Sequence, residues 1–335
     1  MKKKVFATVL AGMMALSLTA CGNADSTAPE ENGSGTQTAA GSYTVGICQQ
    51  MQHAALDSAT QGFQDKLKEL ITADGGEVEF EVENASGESA NCASIINGFV
   101  SSNVDLIMAN ATAALTAAAS ATADIPILGT SITEYGVALG IDGFTGTTGY
   151  NVSGTSDLAP LDQQAEMLHT WFPDAQTVGL LYCSAEPNSQ YQVDTVQGYL
   201  EDLGYTCTQY SFSDSNDLSA VASSACTASD VLYVPTDNTA ANNAELIGNI
   251  SLDTGTPIIA GEEGICKGCG VATLTISYYD IGYKTGEMAY DILVNGADPA
   301  TMPIEYAPQF TPKYNPTMCE ALGLTPPDGY EAIAE

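Results

Sequence analysis

The sequence predicts an α/β chain of two doubly wound, parallel-sheet lobes joined by several crossings, with a ligand in the cleft between them. An internal repeat, short apolar runs alternating with amphipathic stretches, and the chain length together predict it. Thr44-Val45-Gly46-Ile47 recurs as Thr177-Val178-Gly179-Leu180, and Gln61-Gly62-Phe63 as Gln197-Gly198-Tyr199. Asp105-Leu106-Ile107-Met108 is echoed by Asp230-Val231-Leu232-Tyr233, and Ile125-Pro126-Ile127-Leu128 by Thr256-Pro257-Ile258-Ile259. Four matched elements in one order, at a period too long for a solenoid, mean one lobe built twice. About 290 residues follow the leader described next, more than a single core usually holds.

The elements follow in chain order. Three lysines, an apolar run over 5–18 and the small-residue end Leu18-Thr19-Ala20-Cys21-Gly22 look like a bacterial lipoprotein export signal. The run is shorter than the ~20 apolar residues of a membrane span. A signal peptide is therefore expected over 1–20, with Cys21 lipidated and the mature chain anchored outside the cytoplasmic membrane. Residues 21–42 are mostly Ser, Thr, Gly, Glu and Ala, too polar to offset their ordering entropy, and read as a flexible tether.

Runs at 43–48, 78–82, 104–108 and 125–128 are short and apolar, as strands buried on both faces are. Leu56, Ala59, Phe63, Leu67 and Leu70 share one helical face between the first two. The second lobe repeats the pattern at 177–182, 205–210, 230–234 and 256–260. Alternating strands and helices imply Rossmann-like parallel sheets with helices on both faces. A strand at 271–276 and a helix through Ile281, Met288 and Ile292 are expected to return to the first lobe. The lobes then comprise 43–154 plus 271–301, and 157–262 plus 305–331. Crossings fall near 150–157, 260–271 and 302–308, the last in a proline-rich end.

Charge and cysteines bound the function. The chain has eight Lys and no Arg; removing the signal leaves five Lys against 41 acidic residues. Phosphate neutralisation needs clustered cations, so a nucleic-acid partner is excluded, and the acidity reads as a solvated surface. Eight cysteines follow Cys21. Cys48 and Cys183 end apolar runs and pack as small hydrophobes. Cys266-Lys267-Gly268-Cys269 has redox or zinc spacing but lacks a second ligand pair, so it reads as a local disulfide or two free thiols. No metal and no cofactor are expected.

In open α/β sheets ligands bind beyond the carboxyl ends of the strands. The turns there supply the candidate ligand-binding residues: Gln50, His53, Thr112, Thr130 and Ser131 in the first lobe, Glu186, Asn188, Ser189, Asp237 and Glu262 in the second. Each taken singly is also a plausible helix cap. As a set facing one cleft they read as a site. The acids suit an ammonium, with Asp237 expected to pair with it. Hydroxyls, amides and backbone N–H groups at helix starts suit a carboxylate, the Asn188-Ser189 turn being favoured. A zwitterionic amino acid satisfies both, with helix termini taking the role an arginine could have had. Enzyme motifs are missing: no Gly-x-Ser-x-Gly elbow, no His-Glu-x-x-His, no phosphate loop. Asp237 and Glu262 could pair for glycoside hydrolysis, but no aromatic sugar platform accompanies them. His169, beside Trp171 and Phe172, reads as a partly buried helix end. No catalytic residue is expected.

Gln52-His53-Ala54-Ala55-Leu56-Asp57, Asn84-Ala85-Ser86-Gly87, Gly154-Thr155-Ser156-Asp157, the stretch 183–189, Pro235-Thr236-Asp237-Asn238 and the stretch 280–288 jointly resemble one family. It is the solute-binding lipoproteins of ABC importers, in their tryptophan/tyrosine group with the type I periplasmic-binding fold. The resemblance covers about 44–326. It implies an aromatic amino acid (Trp, Tyr or Phe) as ligand, and permease and ATPase subunits as partners. Ala54 stands where that family usually has proline, and Cys266–Cys269 replaces a plainer loop; both departures bear on the ligand more than on the fold. A sugar or nucleoside receptor of the same fold, and a surface enzyme acting on a small metabolite, are the alternatives.

Overall fold

The computed structural model describes residues 41–334. The expected signal, Cys21 and most of the tether lie outside the described residues. The tether's last residue, Ser42, already pairs with Glu77 as the first residue of a strand.

The first half runs β1 (Ser42–Gln49), α1 (Ala54–Ala73), β2 (Glu77–Asn84), α2 (Ser89–Ser102), β3 (Leu106–Asn110), α3 (Thr112–Ala121), β4 (Ile127–Ile132), α4 (Tyr135–Leu139) and β5 (Val152–Ser156). The second half runs α5 (Leu161–Trp171), β6 (Thr177–Cys183), α6 (Pro187–Asp202), β7 (Thr206–Phe212), α7 (Leu218–Ala228), β8 (Val231–Val234), α8 (Asn238–Asn242), α9 (Ala244–Thr254), β9 (Ile258–Ala260), α10 (Glu263–Gly268) and β10 (Ala272–Thr275). The end of the chain adds α11 (Tyr278–Leu293), β11 (Glu305–Tyr306), β12 (Thr311–Tyr314), α12 (Pro316–Leu322) and β13 (Glu331–Ala332).

Two sheets result, ordered β11-β5-β4-β3-β1-β2 and β13-β12-β10-β9-β8-β6-β7. The inner order β2-β1-β3-β4-β5 is repeated as β7-β6-β8-β9-β10, so the sequence repeat is a repeat of topology. Pairing is parallel throughout except where β12 runs antiparallel to β10. Alternation along β1 explains why both faces are covered. Val45 and Ile47 pack with Phe63 and Leu67 of α1, while Cys48 packs with Cys92 and Ile96 of α2. Cys266 and Cys269 are free thiols buried in the core of the second lobe.

The end of the chain is shared differently from the sequence-based expectation. The strand expected at 271–276 to join the first lobe is β10, the fifth strand of the second sheet, paired to β9. Only the following helix returns: α11 packs along α1. Glycines permit that contact, since a Cβ on Gly62 would stand 2.1 Å from the carbonyl oxygen of Tyr279, and one on Gly282 2.0 Å from that of Ala59. Residues 305–306, expected in the second lobe, form β11 and pair with β5 of the first. The chain therefore crosses at 157–160, 276–277 and 307–310. The expected crossing at 260–271 is instead occupied by α10 and the lead into β10, both inside the second lobe.

Candidate functional site

The carboxyl ends of the two sheets face each other. Around a small cavity they bring His53, Leu56, Ser131, Thr133 and Asp157 from the first lobe and its crossing together with Asn188, Thr236, Asp237, Asn238, Ala241 and Glu262 from the second. Tyr278, the first residue of α11, closes it. The space is only about 10 Å³, room for about one water molecule. A small molecule enters only if the lobes part. A larger cavity, about 860 Å³, lies beside the crossings between α1, α10 and α11. Five of the ten candidate residues line the small cavity and one, Glu262, lines the large one. The strand-end polar groups of both lobes thus converge on the small cavity.

The five that reach it differ in how free they are. His53 precedes α1, and its Nε2 lies 3.1 Å from Oδ1 of Asn238, a direct link between lobes. Ser131 adopts φ 55°, and its buried Oγ has no hydrogen-bond partner; the strained backbone aims an unspent hydroxyl at the cavity. Asn188 donates from Nδ2 to the Thr236 carbonyl at 3.2 Å. Asp237 accepts from the backbone N–H of Cys183 and of Ala240, both at 2.7 Å. Glu262 caps α10, accepting from Gly264 N–H at 2.7 Å and from Ile265 N–H. Burial raises the carboxyl pKa of Asp237, and the nearby Glu186 carboxylate raises it further. Burial also raises that of Glu262, with the positive side of His53 opposing.

The other five lie outside the lining, each for a physical reason. The Gln50 side chain caps the start of α3 by accepting from Ala113 N–H at 2.9 Å. Thr130 joins a buried chain of hydroxyls, 3.1 Å from Thr155, which is in turn 2.8 Å from Thr285. Thr112 faces an outer groove between α2, α3 and the start of α6. Glu186 is consumed by Asn238 and Thr239, accepting from both backbone N–H groups, the Asn238 amide and the Thr239 hydroxyl at 2.7–3.0 Å. Ser189 is fully buried beneath Asn188, from whose amide it accepts at 3.2 Å. Outside the site, His169 pairs through Nδ1 with the Tyr205 hydroxyl at 2.7 Å, a structural role.

Three cavity residues, Asp157, Tyr278 and Thr133, are not among the sequence candidates. Asp157 follows β5, where the sequence suggests a crossing rather than a fifth strand. Tyr278 follows β10, which the sequence suggests belongs to the other lobe. Both do obey the strand-end rule once the fifth strands are recognised.

Known proteins share the two-lobed architecture. The family model for ABC transporter substrate binding proteins matches residues 44–334. A tyrosine-binding protein of Clostridioides difficile (strain R20291) is 34% identical over 292 residues, 87% of this chain and 84% of the relative. Among solved structures, an ABC domain of Streptococcus pneumonia in complex with L-Trp is 28% identical, covers 87% of this chain and 100% of its own, and superposes with a TM-score of 0.81. The ligand-free, open structure of a substrate-binding protein with adhesive properties from Clostridium difficile is 35% identical, with 87% and 99% covered and a TM-score of 0.67. The chain belongs to the ABC transporter substrate-binding protein family, with the two-lobed α/β fold of type I binding proteins.

Proposed function

We propose that the protein captures an aromatic amino acid, tyrosine or tryptophan foremost, outside the cytoplasmic membrane and delivers it to the permease and ATPase subunits of an ABC importer. The lipoprotein-type leader, with Cys21 as the anchor, supports that location. One observation carries the ligand class: both lobes turn their strand ends onto one cavity rich in carboxylates, with no lysine lining it. Such a site is completed by a ligand that brings its own cation. The free hydroxyl of Ser131 favours that turn, rather than Asn188-Ser189, for the ligand's carboxylate. The lobe arrangement supports the reading as well. The fit is better to the L-Trp complex than to the ligand-free, open structure, although the latter is more similar in sequence.

A thermal-shift screen of the purified protein against the twenty amino acids, common sugars and nucleosides tests it. Stabilisation by tyrosine, tryptophan or phenylalanine, with the ligand recovered intact, is the expected result. Stabilisation by a sugar or nucleoside alone, or turnover of the ligand, overturns it.

A further inference from the structure

Four buried carboxylates surround the cleft, and three of them are already committed to backbone N–H groups. Glu186 accepts from two peptide groups and two side chains, Asp237 from two peptide groups and Glu262 from two. These donors belong to the ends of strands and the starts of helices and cannot turn away. Asp157 is different. Its Oδ1 accepts from the Thr133 hydroxyl and its Oδ2 from the Tyr278 hydroxyl, each at 3.0 Å. Hydroxyls rotate, and each carboxylate oxygen keeps a lone pair. Asp157 is only 5% exposed, yet none of the ion pairs among the described residues includes it. A buried carboxylate held by hydroxyls alone lacks the opposite charge that would offset its desolvation.

Its place in the chain adds a second argument. Asp157 opens the first crossing, and Tyr278 follows directly on the second. Their hydrogen bond is therefore a tie between two of the three segments about which the lobes turn.

We propose that Asp157, rather than Asp237, receives the ligand's α-ammonium, so that the ligand's cation sits on the tie between the first two crossings. The inference rests on the amino-acid reading above and assigns its ammonium subsite. A charge-assisted bond at that point is strong. It joins the ligand to the segments that must bend for the lobes to close, so ligand capture and closure become one event. Asp237 and Glu262 remain in the wall as helix caps.

The experiment compares L-tyrosine and L-tryptophan with their des-amino analogues, 3-(4-hydroxyphenyl)propionate and indole-3-propionate, by titration calorimetry. The parent protein is expected to prefer the amino acids at least tenfold. Asp157→Asn should lose most of that preference, whereas Asp237→Asn should keep it. Retention of the full preference in Asp157→Asn overturns the inference and leaves the amino-acid reading standing. Failure of the parent to bind any amino acid removes both. Should Asp157→Asn not fold, carboxyl carbon NMR of the parent decides. Its Asp157 resonance should titrate at lower pH once tyrosine is bound, and an unchanged midpoint sinks the assignment.

Discussion

In the second lobe, Glu186, Asp237 and Glu262 lean on backbone N–H groups and hold the loops that follow β6, β8 and β9. In the first lobe, Ser131 points a free hydroxyl into the cleft and Asp157 is held by two hydroxyls at the crossing. The two halves repeat one strand order, yet one is preorganised by its own backbone and the other keeps its polar groups available. The difference teaches that strand-end position alone does not identify a ligand contact. What identifies it is the part of a side chain's hydrogen-bonding capacity that the protein itself leaves unspent.

The fifth strands show the same contrast in packing. In the first lobe Gly129 pairs with Gly154; at the matching place in the second, Ala260 pairs with Thr273. The Tyr135 hydroxyl fits over the glycine pair, donating to the carbonyls of Gly129 and Thr155 at 3.1 Å. Gly154 has φ +143°, and a Cβ there would stand 2.0 Å from the Gly129 carbonyl oxygen. Gly154→Ala should therefore destabilise the protein by on the order of 3 kcal/mol or more, from strain and overpacking together. Thr273→Val should be neutral or mildly stabilising, because the buried Thr273 hydroxyl has no partner to lose. Urea denaturation of both variants measures the contrast, and equal effects would erase it.

The committed carboxylates come next in size. Asp237→Ala leaves the N–H groups of Cys183 and Ala240 buried without an acceptor, a loss of about 2–4 kcal/mol of stability. By denaturant midpoint this should exceed the stability change of Asp157→Asn, while the order of the two in ligand discrimination reverses. A single ranking in both measurements would break the proposed division between wall and contact.

Acidity sharpens the comparison through Asp157, whose carboxyl is pushed up to about 6 by burial, with the Glu262 charge adding and the Tyr278 and Thr133 hydroxyls opposing. Because the folded value lies above the ordinary one, Asp157's contribution to the stability of the unliganded protein is present in full below about pH 4. It is lost as pH rises through about 6. Ligand affinity should run the other way, since an ammonium needs the carboxylate, and should fall by up to tenfold per unit below about pH 6. His53, Asp237, Glu262 and Tyr278 face the same cavity, and Tyr135 lies close by, so the control is Asp157→Asn. Its pH profile should be flatter than the parent's, and an equally steep profile places the titration on one of those neighbours.

The repeat, the Rossmann-like sheets and four strands of each lobe were legible, three of each four because buried parallel strands announce themselves as apolar runs, whereas β2 and β7 are edge strands that the structure leaves largely exposed. β5 was not, because Val152-Ser153-Gly154-Thr155-Ser156 is polar in composition although every residue in it is buried. Its hydroxyls are satisfied inside the fold, Ser153 by the Met302 carbonyl and Thr155 by Thr285. β10 is legible as a strand but not its lobe, since nothing in 271–276 states which sheet it joins. The helix after it carried the information, in glycines whose role is visible only against α1. Among the site residues, position was readable and commitment was not: Glu186 and Ser131 look alike as strand-end polar residues, and only the three-dimensional hydrogen bonds separate them.

The smallest expected effect concerns the link between the halves. His53 Nε2 and Asn238 Oδ1 meet at 3.1 Å across the cleft, from the start of α1 and the start of α8. This contact forms only when the lobes are together, so it favours the closed arrangement without belonging to either lobe's own stability. His53→Ala should therefore leave the denaturant midpoint nearly unchanged. It should weaken ligand binding by about 0.5–1.5 kcal/mol, the net value of one hydrogen bond. Most of that loss should appear as faster dissociation, because the bond is made after the ligand has entered. Scattering adds a direct view, as the ligand-saturated parent should have a smaller radius of gyration than the unliganded one, and the variant should need more ligand to reach it. A variant that dissociates no faster than the parent would mean that closure is held by the ligand and the Asp157–Tyr278 tie alone, with His53 only a wall of the cavity.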